Sequence, residues 1–306
     1  MSKKVFLKGT LILACTGLVS RIAGFFYRIF LSHAIGAEGL GLYQLILPLQ
    51  GLMAALSYTG IQSALSRLIA SRLALQEKKE AYFSLVTGIF AAVFFSAVTG
   101  FLLFRHADFF ASTILKAPGT SDLLRLTAAS IPLCAIHSCI DSYYYARKKA
   151  SVPAAVQLSE QAVRIGATYI LYLIFLSEGR PVTAMIAAGG SLAGEAAASL
   201  ISLLMVSFHF GNHPVKEKTS VKIFPLIKDL FTLSFPISLN RILLTLLGSI
   251  EAVLIPQMLI RCGMTSSEAL KIYGIFTGMA LPLLLFPSTL TTSAAVMLMP
   301  SVARMD

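Results

Sequence analysis

The chain has 306 residues, of which 56% are hydrophobic and 13% charged, with a formal net charge of +11. That balance excludes a soluble enzyme and fits a polytopic membrane protein. The four cysteines, Cys15, Cys134, Cys139 and Cys262, have neither disulfide-framework nor metal-site spacing, so no metal is expected.

A membrane span needs about 20 apolar residues. Eight segments qualify: 10–31, 43–69, 82–104, 123–145, 152–175, 182–208, 230–259 and 269–299. They are too long for β-barrel strands and lack alternation. The expected fold class is therefore all-α, a membrane helix bundle of about eight transmembrane helices.

The first span carries Arg21 and Arg28. An arginine at the bilayer centre costs about 2.5–3.5 kcal/mol on insertion scales. Seven residues apart, the two share one helix face. Arg28 is near enough to the outer end to snorkel, whereas Arg21 lies near mid-span. Such a charge faces protein or a water-filled cavity, and a cationic stripe in a cavity points to an anionic cargo. The alternative is that both arginines close structural ion pairs between helices. Ile12-Leu13-Ala14-Cys15 loosely resembles a lipoprotein cleavage box, but the apolar stretch before it is short and interrupted by Lys8, so the first helix reads as uncleaved. A glycine-rich turn, 35–41, separates the first two spans.

The fourth span holds His137 and Asp141 at one-turn spacing. Asp141 is expected at a solvated helix end, the competing reading being a proton-carrying pair. In the fifth span, Glu160 and Arg164 are placed for an intrahelical ion pair. The sixth contains Gly190-Ser191-Leu192-Ala193-Gly194, a small-xxx-small motif for close helix packing. Glu195 follows, on one face with Ser191, Ser199 and Ser202. It has no partner nearby in sequence, so it pairs with an arginine of another helix or carries a proton. The seventh span holds Asn240, Arg241 and Glu251. Ten residues, roughly 15 Å of helix, keep Arg241 and Glu251 from pairing with each other. Pro236 and Pro256 bracket this span, and Pro282 and Pro287 interrupt the eighth.

The polar stretch 209–222 is the best boundary in the chain. It divides an N-terminal six-helix lobe (1–210) from a linker (211–228) and the first two helices of an incomplete second lobe (229–306). A weak repeat crosses it: Arg21, Gly36, Leu42-Tyr43 and Pro48-Leu49 are echoed by Arg241, Gly263, Ile272-Tyr273 and Pro282-Leu283. Transporters are often built from such repeats. Of the 25 Lys and Arg, fifteen fall at the N-terminus, in alternate connections and in the C-terminal tail, six on the opposite side, and four (Arg21, Arg28, Arg164, Arg241) within spans. This asymmetry places both termini in the cytoplasm. The basic excess therefore reflects topology and anionic headgroups rather than nucleic acid. No catalytic motif is present, and the outer loops are short, so no enzyme is expected.

Ser20-Arg21-Ile22-Ala23-Gly24-Phe25, followed by Ile35-Gly36-Ala37-Glu38-Gly39-Leu40-Gly41-Leu42-Tyr43-Gln44, resembles the opening of the stage V sporulation protein B and polysaccharide transporter family. Tyr273-Gly274, Thr277-Gly278-Met279-Ala280, Pro282-Leu283, Phe286-Pro287 and Leu290-Thr291 resemble that family's eighth span. The resemblance implies two six-helix lobes around a cavity that opens alternately to either side of the bacterial cytoplasmic membrane. It also implies a flippase for a lipid-linked oligosaccharide or peptidoglycan precursor, in cell-envelope or spore cortex synthesis. The cargo would be an undecaprenyl-diphosphate-linked glycan, bound through Arg21, Arg28, Arg164 and Arg241. Asp141, Glu160, Glu195 and Glu251 are the coupling or structural acids, with Na+ or H+ as the coupling ion and no other cofactor. Family members continue past this length, so the chain reads as a fragment or a truncated product. The competing readings are a cation-coupled multidrug exporter, which favours acids over arginines, and a non-transporting membrane scaffold.

Overall fold

The computed structural model describes residues 3–212 and 223–285. Among these residues every regular element is helical. In order the α-helices are α1 (Lys3–Ser57), α2 (Thr59–Ala74), α3 (Lys78–Arg105) and the short α4 (Ala107–Phe109), which a π-turn (Phe110–Ile114) and a 3-10 turn (Pro118–Thr120) connect to the next. Then come α5 (Ser121–Ala146), α6 (Ser151–Ser177), α7 (Met185–Asn212) and α8 (Ile223–Arg261). A capping box of Thr265 and Glu268 starts α9 (Ser266–Ile275), and a π-turn leads into α10 (Leu281–Leu284). Residues 213–222 of the expected linker, and the eighth span from residue 286 onward, lie outside the described residues.

The first two expected spans are the two arms of α1. The glycine-rich turn between them is reduced to one residue, Gly36, at φ 70° and ψ 173°. That conformation is almost closed to side chains other than hydrogen. Leu11–Ser57 is 47 residues long, about 70 Å of helix against a hydrocarbon core of about 30 Å. Bent at Gly36, it has length for two crossings. The second expected span runs on into α2 through Tyr58, where helical hydrogen bonding continues from Tyr58 N–H to the Ala54 carbonyl (3.0 Å) and from Gln62 N–H to the Tyr58 carbonyl (2.8 Å).

Among the described residues five helices are long and apolar enough to cross a membrane: Leu11–Ser57, Lys78–Arg105, Pro118–Ala146, Met185–Asn212 and Phe224–Arg261. The chain is accordingly a multi-pass membrane helix bundle. α6 is long enough but carries Glu160 and Arg164, and falls outside that set. Its neighbours explain how it is held. A Cβ on Gly194 would lie 3.0 Å from the Glu160 carbonyl oxygen and 3.1 Å from Arg164 Cβ, and one on Gly190 would overlap the Thr168 hydroxyl. The small-xxx-small motif thus seats α6 against α7 backbone to backbone. Gly41 and Gly274 do the same for α1 and α9, where a Cβ on Gly274 would come within 2.9 Å of Gly41 Cα.

Two apolar cores result. One gathers Leu31, Leu40, Leu45 and Ile46 of α1 with Leu124 and Ile131 of α5 and Tyr273 of α9. The other joins Leu65 and Ile69 of α2, Leu85 of α3 and Ile140 of α5. The outer faces are apolar as well: Phe90, Phe94 and Phe101 on α3 and Leu243, Leu244 and Leu247 on α8 are all exposed, as suits a surface that meets lipid.

Candidate functional site

A cavity of about 680 Å³ opens between both arms of α1, α6, α7 and the α9–α10 region. Arg21 and Arg28 of the first arm line it, as their shared helix face requires, together with Arg164 of α6. Glu195 of α7 also borders it, and the remaining polar lining includes Gln44, Gln50, Gln161 and Ser191. Sequence reasoning did not find the glutamines and Ser191 as lining, because nothing in a single helix's pattern marks which polar residue shares a cavity with another helix.

The acids fall into place around Arg164. It pairs with Glu160 one turn away, as expected, and its Nη2 lies 3.6 Å from Glu195 Oε1. Its Nη1 donates to Gln161 Oε1 at 3.2 Å. The Thr168 hydroxyl donates to the Arg164 carbonyl (2.8 Å) and receives the Tyr27 hydroxyl (3.0 Å). Tyr27 is thereby tied from α1 to the helix that carries Arg164.

Glu195, which has no partner near it in sequence, finds two across the bundle: Arg164, and His137 Nε2 at 2.9 Å. His137 Nδ1 faces Asp141 Oδ2 at 3.8 Å. Asp141 is not at a solvated helix end: its side chain is only 15% exposed, and it belongs to the same buried chain of charges. The missing signal was tertiary, since α7 covers this face of α5. Among the described residues, His137 Nδ1, Asp141 Oδ1 and Arg164 Nε have no hydrogen-bond partner.

The two site candidates on α8, Arg241 and Glu251, lie apart from this group. Arg241 and Glu251 are both exposed and are not among the residues lining the cavity.

An apolar exterior, a multi-pass helical frame and a cavity bordered by three arginines define a membrane protein built around a charged interior. The chain belongs to the polysaccharide biosynthesis protein family, whose model matches residues 6–306. It is 32% identical to stage V sporulation protein B of Bacillus subtilis over 99% of its own length and 59% of that protein. It is 24% identical to the uncharacterized membrane protein YabM of the same organism, over 97% of this chain and 55% of that one. It therefore spans somewhat more than half the length of these relatives. Its fold matches that of the MATE multidrug transporter DinF-BH, with a TM-score of 0.67 at 17% identity, covering 98% of this chain and 65% of that one. It also matches a MOP superfamily transporter from Pyrococcus furiosus, with a TM-score of 0.61 at 17% identity, covering 97% of this chain and 68% of that one.

Proposed function

We propose that this chain forms the cargo-binding part of a flippase that moves a lipid-linked glycan across the bacterial cytoplasmic membrane, and that it is a transporter and not an enzyme. The observation that carries this reading is the convergence of Arg21, Arg28 and Arg164 on one cavity. Arginine presents a planar fork of donors that matches phosphate oxygens two at a time. A pyrophosphate linked to undecaprenol is the cargo that would use several such forks at once. The glutamines and Ser191 would meet sugar hydroxyls, and the polyprenyl tail would remain in lipid. A cationic drug is the poorer fit to three arginines, although the fold is shared with a multidrug transporter.

In this reading residues 1–210 are one six-helix lobe, 211–228 a cytoplasmic linker and 229–306 the first two helices of a second lobe. Both termini are cytoplasmic. Alternating access would move the lobes about the cavity, with Na+ or H+ as the coupling ion. Arg21, Arg28 and Arg164 hold the anion, Glu160 and Glu195 hold Arg164 in place, and Asp141 supports His137. Arg241 and Glu251 would take their roles only if further helices covered α8. Relatedness to a sporulation protein supports a role in spore cortex or cell-envelope synthesis.

The test is reconstitution into liposomes with a fluorescent undecaprenyl-pyrophosphate-linked sugar, using this chain and a longer homologous chain. Cargo-dependent flipping by the longer chain that is lost with Arg21→Ala supports the reading. Flipping that ignores all three arginines, or efflux of a cationic dye in its place, contradicts it.

A further inference from the structure

We propose that Cys134, His137 and Glu195 form a binding site for a borderline-soft divalent cation of the Zn2+ class, bridging α5 and α7. Cys134 and His137 stand three residues apart, hence on one face of α5. Glu195, 58 residues further along the chain from His137, meets them from α7. The Cys134 sulfur, an imidazole nitrogen of His137 and a carboxylate oxygen of Glu195 all lie within 4.8 Å of one another. Bonds of about 2.0–2.3 Å to nitrogen, oxygen and sulfur put the ligands of a tetrahedral ion roughly 3–4 Å apart. The His137–Glu195 contact of 2.9 Å would need to open by only a few tenths of an ångström to admit the ion.

Three further features go beyond this clustering of donors. First, the far side of the imidazole faces a carboxylate: His137 Nδ1 is 3.8 Å from Asp141 Oδ2, just beyond hydrogen-bond reach, and both Nδ1 and Asp141 Oδ1 are buried with no hydrogen-bond partner among the described residues. A metal-ligating histidine almost always presents its second nitrogen to such a group, which fixes the tautomer that frees the first. Second, the charges are unbalanced. Asp141, Glu160 and Glu195 bring three negative charges to this part of α5, α6 and α7, and Arg164 brings one positive charge. Ligation adds the Cys134 thiolate as a fourth negative charge, and with His137 neutral three then remain in a buried region, of which a divalent cation cancels two. Third, Glu195 borders the cavity, so an ion has an entry route and a solvent molecule can complete the fourth position. Glu195 would give Oε2 to the ion and keep Oε1 for Arg164. The donor set of thiolate, imidazole and carboxylate favours Zn2+ over Mg2+ or Ca2+.

The test uses the purified 306-residue chain in detergent, stripped with a chelator. Zn2+ is titrated by calorimetry and Co2+ by visible absorption. One ion per chain is expected, with a thiolate-to-cobalt charge-transfer band and a higher melting temperature. Cys134→Ser should remove the band, lower Zn2+ affinity at least ~10-fold and abolish the thermal shift, a soft ligand having been lost. Asp141→Asn should keep the band but weaken binding about 10–100-fold, as loss of an outer partner does. Cys139→Ser should change nothing, because that buried thiol points to the Gly88 carbonyl at 3.9 Å. Melting of each variant without metal separates misfolding from lost ligation, and Glu195→Gln repeats the test without touching α5. Absence of Zn2+ uptake, or uptake and a band unaltered by Cys134→Ser and Glu195→Gln, would overturn the site and leave the His137–Glu195 contact as a shared proton alone. The readout needs no cargo, so its failure leaves the flippase reading standing.

Discussion

His137 Nε2 lies 2.9 Å from Glu195 Oε2, a contact that links α5 to α7 at the edge of the cavity. Glu195 is 8% exposed and holds Arg164 with its other oxygen. Removing one partner of a buried hydrogen bond leaves the other unsatisfied, which costs about 1–3 kcal/mol and more for a charged group. His137→Ala and Glu195→Ala should each lower the melting temperature markedly, and the double variant should be less than additive. Additive losses in a double-mutant cycle would show that the contact carries no energy.

The Arg164–Glu195 separation is longer, at 3.6 Å, and Arg164 also has Glu160. The coupling energy between residues 164 and 195 should therefore be smaller than that between 137 and 195. The same thermal cycle measures both, and a reversed order would place Glu195 primarily with Arg164.

The glycines of α7 set the distance to α6. Gly194→Ala brings a methyl group to 3.0 Å from the Glu160 carbonyl oxygen, and Gly190→Ala overlaps the Thr168 hydroxyl that receives Tyr27. Overpacking of this kind costs about 1–3 kcal/mol. Gly166→Ala, on α6, has open space around it and should be neutral by the same melting assay.

α6 should cross the membrane despite its charges. Ser151 and Ser177 sit at its two ends, both exposed. Ser177→Cys should react with an impermeant thiol reagent on intact cells, and Ser151→Cys should react only after permeabilisation. Equal labelling of both would lay α6 along one surface and remove Arg164 from a transmembrane cavity.

Outside the spans, the Thr265 backbone N–H and hydroxyl hold the Glu268 carboxyl below its ordinary range. A carboxylate with a depressed folded pKa contributes stability above its unfolded pKa and loses it as pH falls through the folded one. The first turn of α9 should therefore exchange amide protons faster, relative to intrinsic rates, as pH drops below about 4.3, and Thr265→Ala should remove that pH dependence. A pH-independent cap would indicate that the box is not formed in solution.

Hydropathy made the helical fold legible, because a span must satisfy its own backbone within one apolar run. The arginine face of α1 was legible for the same reason of geometry: residues 21 and 28 are related by the helix itself. The ion pair of Glu160 and Arg164 and the packing role of Gly190 and Gly194 were equally local. Burial of Asp141, the partners of Glu195 and the approach of Cys134 to His137 and Glu195 were not legible, since each depends on which face α7 turns toward α5. Gly36 shows a middle case. Its glycine-rich surroundings read as a turn, whereas the helix bends at that residue alone and resumes at once.

The central claim is that the cavity bordered by Arg21, Arg28 and Arg164 holds a pyrophosphate. It is tested most directly by the affinity of the purified chain for a short prenyl pyrophosphate, measured against the corresponding prenyl alcohol. The pyrophosphate should bind more tightly, Arg21→Ala should weaken it by about 10–100-fold, as loss of a charge-assisted hydrogen bond of about 1.5–3 kcal/mol requires, and Arg21→Lys should restore only part of that loss. Equal affinity for alcohol and pyrophosphate, or an Arg21→Ala variant that melts normally and binds as the parent does, would contradict it.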